Sequence, residues 1–267
     1  MKAVVLAGGV GTRLRPYTRV LPKPLLPIGD RPILEIIVTQ LRETGVEEIV
    51  MATGYLSSLI ETFFGDGSAH GVNVSYAREE QALGTAGPLR TIPGLDRTFL
   101  LMNGDVLTDL HYPDLLQAHR RAGAIATVAT RPQDVELEYG VVELGSPVDG
   151  IRRIEAIHEK PKHTYQVSMG VYAFEPAVAG YIEAEAKLDF PELIERLLDH
   201  DELVASYEHQ GYWADVGQLH DLETAVEEFE RDAERFVRGG STGLTQPKSA
   251  QAKGFPAPLD EAIVDEF

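Results

Sequence analysis

Short apolar runs rich in Val and Ile alternate along this chain with segments whose apolar residues recur at helical spacing, and that alternation restricts the fold more than any other feature. The runs "AVVLA" (3–7), "EIVMAT" (48–53), "VNVSYA" (72–77), "TFLLMN" (98–103), "AIATVAT" (124–130), "GVVEL" (140–144), "VSMGVYAF" (167–174) and "LVASYE" (203–208) read as strands. Helices are expected over 32–44, 57–64, 85–91, 112–122 and 218–237, with Pro32 and Pro113 suited to a first turn and Gly45 and Gly123 to a stop. This order predicts an α/β fold with a mostly parallel sheet covered by helices. Around 124–174 strand signals follow one another directly, so antiparallel additions and a mixed sheet are expected there. A length of 267 residues suits one domain, placed at 1–237. The stretch 238–267 is rich in Gly, Pro, Ser, Gln and Ala with little periodicity, and is expected to be a flexible tail whose last ten residues could dock as a short helix.

Charge is distributed unevenly. The chain carries 42 acidic and 24 basic residues, a net −18, yet residues 1–31 hold six basic residues against Asp30 alone. A local cationic site on an anionic body points to a small anionic ligand and away from nucleic acid or an anionic membrane surface. There is no cysteine, which excludes disulfides, thiol catalysis and thiolate metal sites and fits a reducing compartment. The apolar run after Met1 is too short for a signal-peptide core, and no run approaches the ~18 residues of a membrane span. A cytoplasmic protein is therefore expected.

The cationic segment is "LAGGVGTRLRPYTRVLPKP", Leu6 to Pro24. Its glycines follow a strand, where backbone N–H groups can approach a phosphate or a base. It is not a dinucleotide fingerprint, because Leu14 stands where the third glycine belongs, and Arg13 breaks the Walker pattern. Prolines at 16, 22, 24 and 27 stiffen the loop that carries Arg13 and Lys23, so both cations can be held in place before a ligand arrives. "GDVLTD" places Asp105 and Asp109 after a buried-looking strand, and "WADVG" places Asp215 beside the only tryptophan. Two separated carboxylates can share one hard cation, while Asp109 reads as a cap for the helix near 112–122. "HEKP" (158–161) joins an acid and a base before a proline. No H-E-x-x-H or G-x-S-x-G pattern occurs, so zinc or serine-triad hydrolysis has no support.

Together these segments resemble the sugar-1-phosphate nucleotidyltransferase family. The N-terminal signature G-G-x-G-T-R-L-x-P-x-T followed by P-K-P runs without a gap from Gly8 to Pro24. Gly104–Asp105, Tyr139–Gly140–Val141, Glu159–Lys160–Pro161, Gly170 to Phe174 and Trp213 to Gly217 follow in the family's order, so the likeness covers roughly residues 1–235. The resemblance implies a three-layer α/β/α Rossmann-like nucleotidyltransferase fold and the reaction NTP + sugar 1-phosphate ⇌ NDP-sugar + pyrophosphate, with Mg²⁺ as cofactor. It implies that Leu6, Ala7, Gly8, Gly9, Gly11, Thr12, Gly84 and Thr85 line the nucleotide and that Arg13 and Lys23 hold its phosphates. Asp105, catalytic with those two cations, would share the metal with Asp215. Asn103, Tyr139, Gly140, Glu159, Lys160 and Gly170 would hold the sugar phosphate.

The segment Glu79 to Leu89 resembles the E-x-P-L-G-T-A-G-P-L stretch of mannose-1-phosphate guanylyltransferases, with Ala82 in place of the usual proline. Glu80 there could accept hydrogen bonds from guanine N1–H and its amino group, which favours GTP. "VSMGVY" (167–172) lacks the N-A-G usual in mannose enzymes, so heptose and cyclitol phosphates stay open as acceptors. The chain as read stops before the left-handed β-helix domain of some relatives, whose second activity or allosteric assembly it is expected to lack. Alternatives are thymidylyl, cytidylyl or uridylyl transfer to glucose 1-phosphate, or a non-catalytic nucleotide-sugar-binding paralogue, although the latter could dispense with Arg13, Lys23 and Asp215. A dinucleotide oxidoreductase is disfavoured by the misplaced glycine. A homo-oligomer is an option the sequence leaves open.

Overall fold

The computed structural model describes residues 1–78, 83–183 and 187–237; Glu80 and the tail expected over 238–267 lie outside the described residues. The strands in chain order are β1 (Lys2–Ala7), β2 (Pro27–Ile28), β3 (Arg31–Pro32), β4 (Glu48–Thr53), β5 (Asn73–Arg78), β6 (Phe99–Asn103), β7 (Val106–Thr108), β8 (Ala126–Glu136), β9 (Val141–Val148), β10 (Ile151–His158), β11 (Lys162–Phe174), β12 (Val204–Glu208) and β13 (Trp213–Asp215). The helices are α1 (Ile33–Glu43), α2 (Ser57–Phe64), α3 (Tyr112–Ala122), α4 (Phe190–Asp199), α5 (Leu219–Arg231) and α6 (Ala233–Phe236).

Seven strands form one sheet in the order β12-β8-β11-β6-β1-β4-β5. β1 lies parallel to β4 and β6, β5 to β4, and β12 to β8, whereas β11 runs antiparallel between β6 and β8. The expected mixed sheet is present, with its antiparallel strand inserted near the middle. Side chains alternate across a strand, so Ala3, Val5 and Ala7 of β1 enter one core and Val4 the other. Both faces are thus dry, which is why β1, β4 and β6 read as nearly unbroken apolar runs. The first core is closed by Ile36, Ile37 and Leu41 of α1, Ile60 of α2, Leu115 of α3 and Phe229 of α5. Phe190, Leu193 and Leu197 of α4 close the second. The layers are helix, sheet, helix, as expected.

Four local readings change. The helix expected over 85–91 is only a 3₁₀ turn at Gly87–Arg90, where Pro88 and two nearby glycines suit a tight turn better than a sustained helix. The segment 218–237 divides at Asp232, whose carboxylate accepts from Arg235 N–H and starts α6. β8 continues through Pro132 to Glu136, paired with β11, and β10 joins β9 in a separate antiparallel hairpin that periodicity does not predict. Asp109 is not a cap: α3 starts from His111 with no side-chain cap bond. Asp109 instead accepts from His209 Nε2 at 2.7 Å and Arg235 Nε at 2.5 Å.

Candidate active site

In open α/β sheets ligands bind beyond the carboxyl ends of the strands. Here β1, β4 and β6 deliver Leu6, Ala52 and Asn103 to one end of the sheet, and a cavity of about 490 Å³ opens there. Its lining also includes Gly8, Gly9, Val10, Gly54, Tyr55, Gly84, Thr85 and Asp105. Gly8 and Gly54 touch through their backbones, and a Cβ on Gly8 would come within 3.3 Å of Gly54 N. The close approach leaves the wall of the cavity as bare main chain. Gly11 has φ +62°, and a Cβ there would fall 2.9 Å from Thr18 Cγ2, while Thr18 Oγ1 donates to the Gly11 carbonyl at 2.7 Å. That bond folds the loop back on itself and leads directly into the 3₁₀ turn Thr12–Leu14, anchored by buried Leu14. Thr85 N–H donates to Asp189 Oδ1 at 2.9 Å, and Thr85 Oγ1 accepts from Phe190 N–H at 2.9 Å, so α4 holds the far lip.

The second part of the site is electrostatic. Lys23 is buried in the proline-flanked turn Lys23–Leu25. Its ammonium bonds Asp105 Oδ2 and lies 3.6 Å from Asp215 Oδ1. The short antiparallel ladder between β7 and β13 brings the two aspartates together: Val106 pairs with Asp215, and Val216 N–H donates to the Asp105 carbonyl at 3.0 Å. Trp213 fixes that ladder by donating from Nε1 to the Met169 carbonyl at 2.8 Å, and Arg131 Nη1 donates to the Trp213 carbonyl at 3.1 Å. Burial and the charge of Asp105 push the Asp215 carboxyl up, opposed by Lys23 and Arg13. Two like charges held this close need a cation, and Lys23 is the one present. A second cleft, about 460 Å³, is lined by Arg13, Gln133, Trp213, Asp215 and Gly217 among others. Lys23 links the two clefts through its ion pairs, since Asp105 lines the first and Asp215 the second.

The expected residues therefore fall into three groups. Leu6, Gly8, Gly9, Gly84, Thr85 and Asn103 line the first cavity; Ala7, buried, lies between Leu6 and Gly8 at the end of β1, and Gly11 and Thr12 continue the loop. Arg13, Lys23, Asp105 and Asp215 form the charged junction. Tyr139, Gly140, Glu159 and Lys160 form a separate group at the base of the β9–β10 hairpin and line neither cavity. There a Cβ on Gly140 would come within 3.2 Å of Glu159 Oε2, so these two adjoin, and Tyr139 is exposed. Gly170 instead packs against Asn103. Val10, Ala52, Gly54 and Tyr55 line the cavity too: Gly54 and Tyr55 belong to the "TGY" that the sequence sets after the 48–53 run, at a carboxyl strand end where a ligand is expected, and Val10 lies within the glycine-rich segment. Among the described residues there is no cluster of three or more His, Asp or Glu side chains suited to a metal. No helix among them is long and apolar enough to cross a membrane.

A three-layer α/β fold with a glycine-lined cavity and a buried lysine between two aspartates suits a nucleotidyl-transferring protein. The family model for nucleotidyl transferase matches residues 2–232, and the chain belongs to that family. It is 35% identical over 250 residues to a UTP–glucose-1-phosphate uridylyltransferase of Synechocystis sp., covering 85% of this chain and 62% of that protein. It is also 35% identical over 246 residues to a mannose-1-phosphate guanylyltransferase of Mycobacterium tuberculosis, covering 89% of this chain and 65% of that protein. The chain thus spans about three-fifths of the length of these curated relatives. Among solved structures, HddC from Yersinia pseudotuberculosis has the same fold with a TM-score of 0.66 at 23% identity, over 85% of this chain and 99% of that one.

Proposed function

We propose that this protein joins a nucleoside triphosphate, preferentially GTP, to a sugar 1-phosphate to give an NDP-sugar and pyrophosphate, acting in the cytoplasm. The acceptor is mannose, heptose or a related sugar or cyclitol 1-phosphate. The observation that carries this reading is Lys23, a buried lysine ion-paired to carboxylates from opposite halves of the chain, each of which lines a different cleft. A phosphate oxygen of the sugar phosphate attacks the α-phosphorus of the triphosphate; the bond from that phosphorus to the bridging oxygen breaks, and pyrophosphate leaves with the electron pair. The attacking oxygen is already anionic, so no general base is needed. What the site must supply is relief from repulsion between two polyanions, together with alignment. Lys23 and Arg13 serve the triphosphate and the departing pyrophosphate, Lys160 the sugar phosphate, and Gly140 and Glu159 its hydroxyls.

Asp105 and Asp215 fit Mg²⁺, because two hard oxygen donors converge within reach of one cationic centre and magnesium typically takes one or two carboxylates plus substrate phosphates. Bound there, the ion would offset phosphate charge. The preference for GTP rests on the resemblance of 79–89 to guanylyltransferases and on Glu80. Uridylyl transfer to glucose 1-phosphate is the second reading, supported by the 35% identity with the Synechocystis protein. Pyrophosphate release, measured with the four NTPs in competition and a panel of sugar 1-phosphates, tests all of this. GTP is expected to dominate; UTP dominating would replace the base assignment, and no release with any pair would remove the transferase reading.

A further inference from the structure

Arg131 stands in β8 opposite Val167 of β11, one residue past Thr130, where the pairing with β12 stops. There the chain leaves the sheet: His209 N–H donates to the Thr130 carbonyl at 2.7 Å, and four residues later Trp213 opens β13. Arg131 spans the gap. Its Nη1 donates to the Trp213 carbonyl at 3.1 Å, its Nε to the Pro132 carbonyl at 3.3 Å, and its guanidinium carbon lies 5.8 Å from the centre of the Trp213 ring. Among the described residues no carboxylate pairs with it. A planar guanidinium can bond in its plane and stack on its face at once, so a half-buried arginine with these contacts is suited to hold one residue in place.

Trp213 in turn leads to both clefts. Side chains alternate along β13, so Trp213 and Asp215 share a face, and both line the second cleft. Trp213 Nε1 also donates to the Met169 carbonyl at 2.8 Å. Met169 sits in the irregularity of β11 between Ser168 and Tyr172. Next to it is Gly170, whose φ is +70° and where a Cβ would fall 2.5 Å from Asn103 Nδ2. Asn103 lines the first cavity.

We propose that Arg131 is a positioning residue for nucleotidyl transfer: by holding Trp213 it sets Asp215 in one cleft and, through Met169 and Gly170, Asn103 in the other. This role presupposes the transfer reaction proposed above. Arg131 lines neither cavity, so it acts through Trp213 and not on a phosphate. The effect belongs to alignment, where a misplacement of about 1 Å can cost ~100-fold in rate.

Trp213 is the only tryptophan, so its fluorescence reports the contact directly. Arg131→Met and Arg131→Lys in the full chain are compared with wild type by acrylamide quenching and by steady-state pyrophosphate release, with thermal unfolding as the check on folding. Arg131→Met is expected to raise the quenching constant and to lower kcat by roughly 100-fold, with KM for both substrates little changed. Arg131→Lys, which can reach the carbonyl but lacks the planar fork, should fall between the two. Raised quenching with kcat intact would make Arg131 structural only, and a raised KM with quenching unchanged would make it a substrate contact. Either result, or no change in any of these quantities, overturns the proposal. Should Arg131→Met fail to fold, the same outcomes are read from Arg131→Lys. A wild type that releases no pyrophosphate with any substrate pair would instead remove the reaction itself, and the positioning role with it.

Discussion

At the scale of single residues the site depends on a few side chains whose surroundings permit no easy substitute. Lys23 is the clearest: Lys23→Ala is expected to lower kcat by at least ~100-fold, a typical loss for one transition-state charge contact, in a pyrophosphate-release assay on folded protein. A near-normal kcat would remove Lys23 from the chemistry. Gly11 is constrained by backbone alone, since φ +62° and the Thr18 methyl leave no room for a Cβ. Gly11→Ala should cost about 1–3 kcal/mol in urea unfolding and distort the loop; unchanged stability would contradict that geometry. These residues are legible in the sequence because they belong to a contiguous loop in which glycine, proline and cation follow one another. Ala52 is not, because a strand residue that lines a cavity wall can be of many types. Asp109 is misread for a related reason: its neighbours in sequence suggest a cap, whereas its partners, His209 and Arg235, lie far along the chain.

At the scale of elements, the β7–β13 ladder does the positioning. Trp213→Phe keeps the ring but removes the donor to the Met169 carbonyl. It is expected to cost about 1 kcal/mol of stability, the net value of one hydrogen bond. It should also raise the Mg²⁺ concentration needed for half-maximal activity, because β13 carries Asp215; titration of both proteins with Mg²⁺ checks this, and equal requirements would remove the positioning role. The central strands β1, β4 and β6 are legible because both of their faces are buried and their residues are almost all apolar. β10 is not, since "IRRIEAIH" carries adjacent arginines and its pairing with β9 shifts register twice. α4 escapes although Phe190, Leu193 and Leu197 have helical spacing and Asp189 with Glu192 forms a capping box. Its start is hidden behind a proline that reads as a break but serves as a first turn.

At the scale of the whole molecule, the last described helix is tied to the body through Asp109. Burial pulls the Asp109 carboxyl up, but hydrogen bonds from His209 and Arg235 outweigh it and hold the group below its ordinary 3.8. A depressed carboxyl stabilises the fold fully above that ordinary value and loses its contribution as pH falls through the folded one. Arg235→Ala should therefore be less stable than wild type near neutrality, with the gap narrowing in acid below 3.8; urea unfolding across pH measures it, and a constant gap would assign the effect to packing. The ladder that pairs Val106 with Asp215 has a further consequence for how the molecule comes into being. A ribosome finishes the glycine loop early, but the far lip of the cavity waits for Asp189 and the charged junction for Asp215, both from the last third of the chain. Cavity and paired charges are thus completed together, late in synthesis.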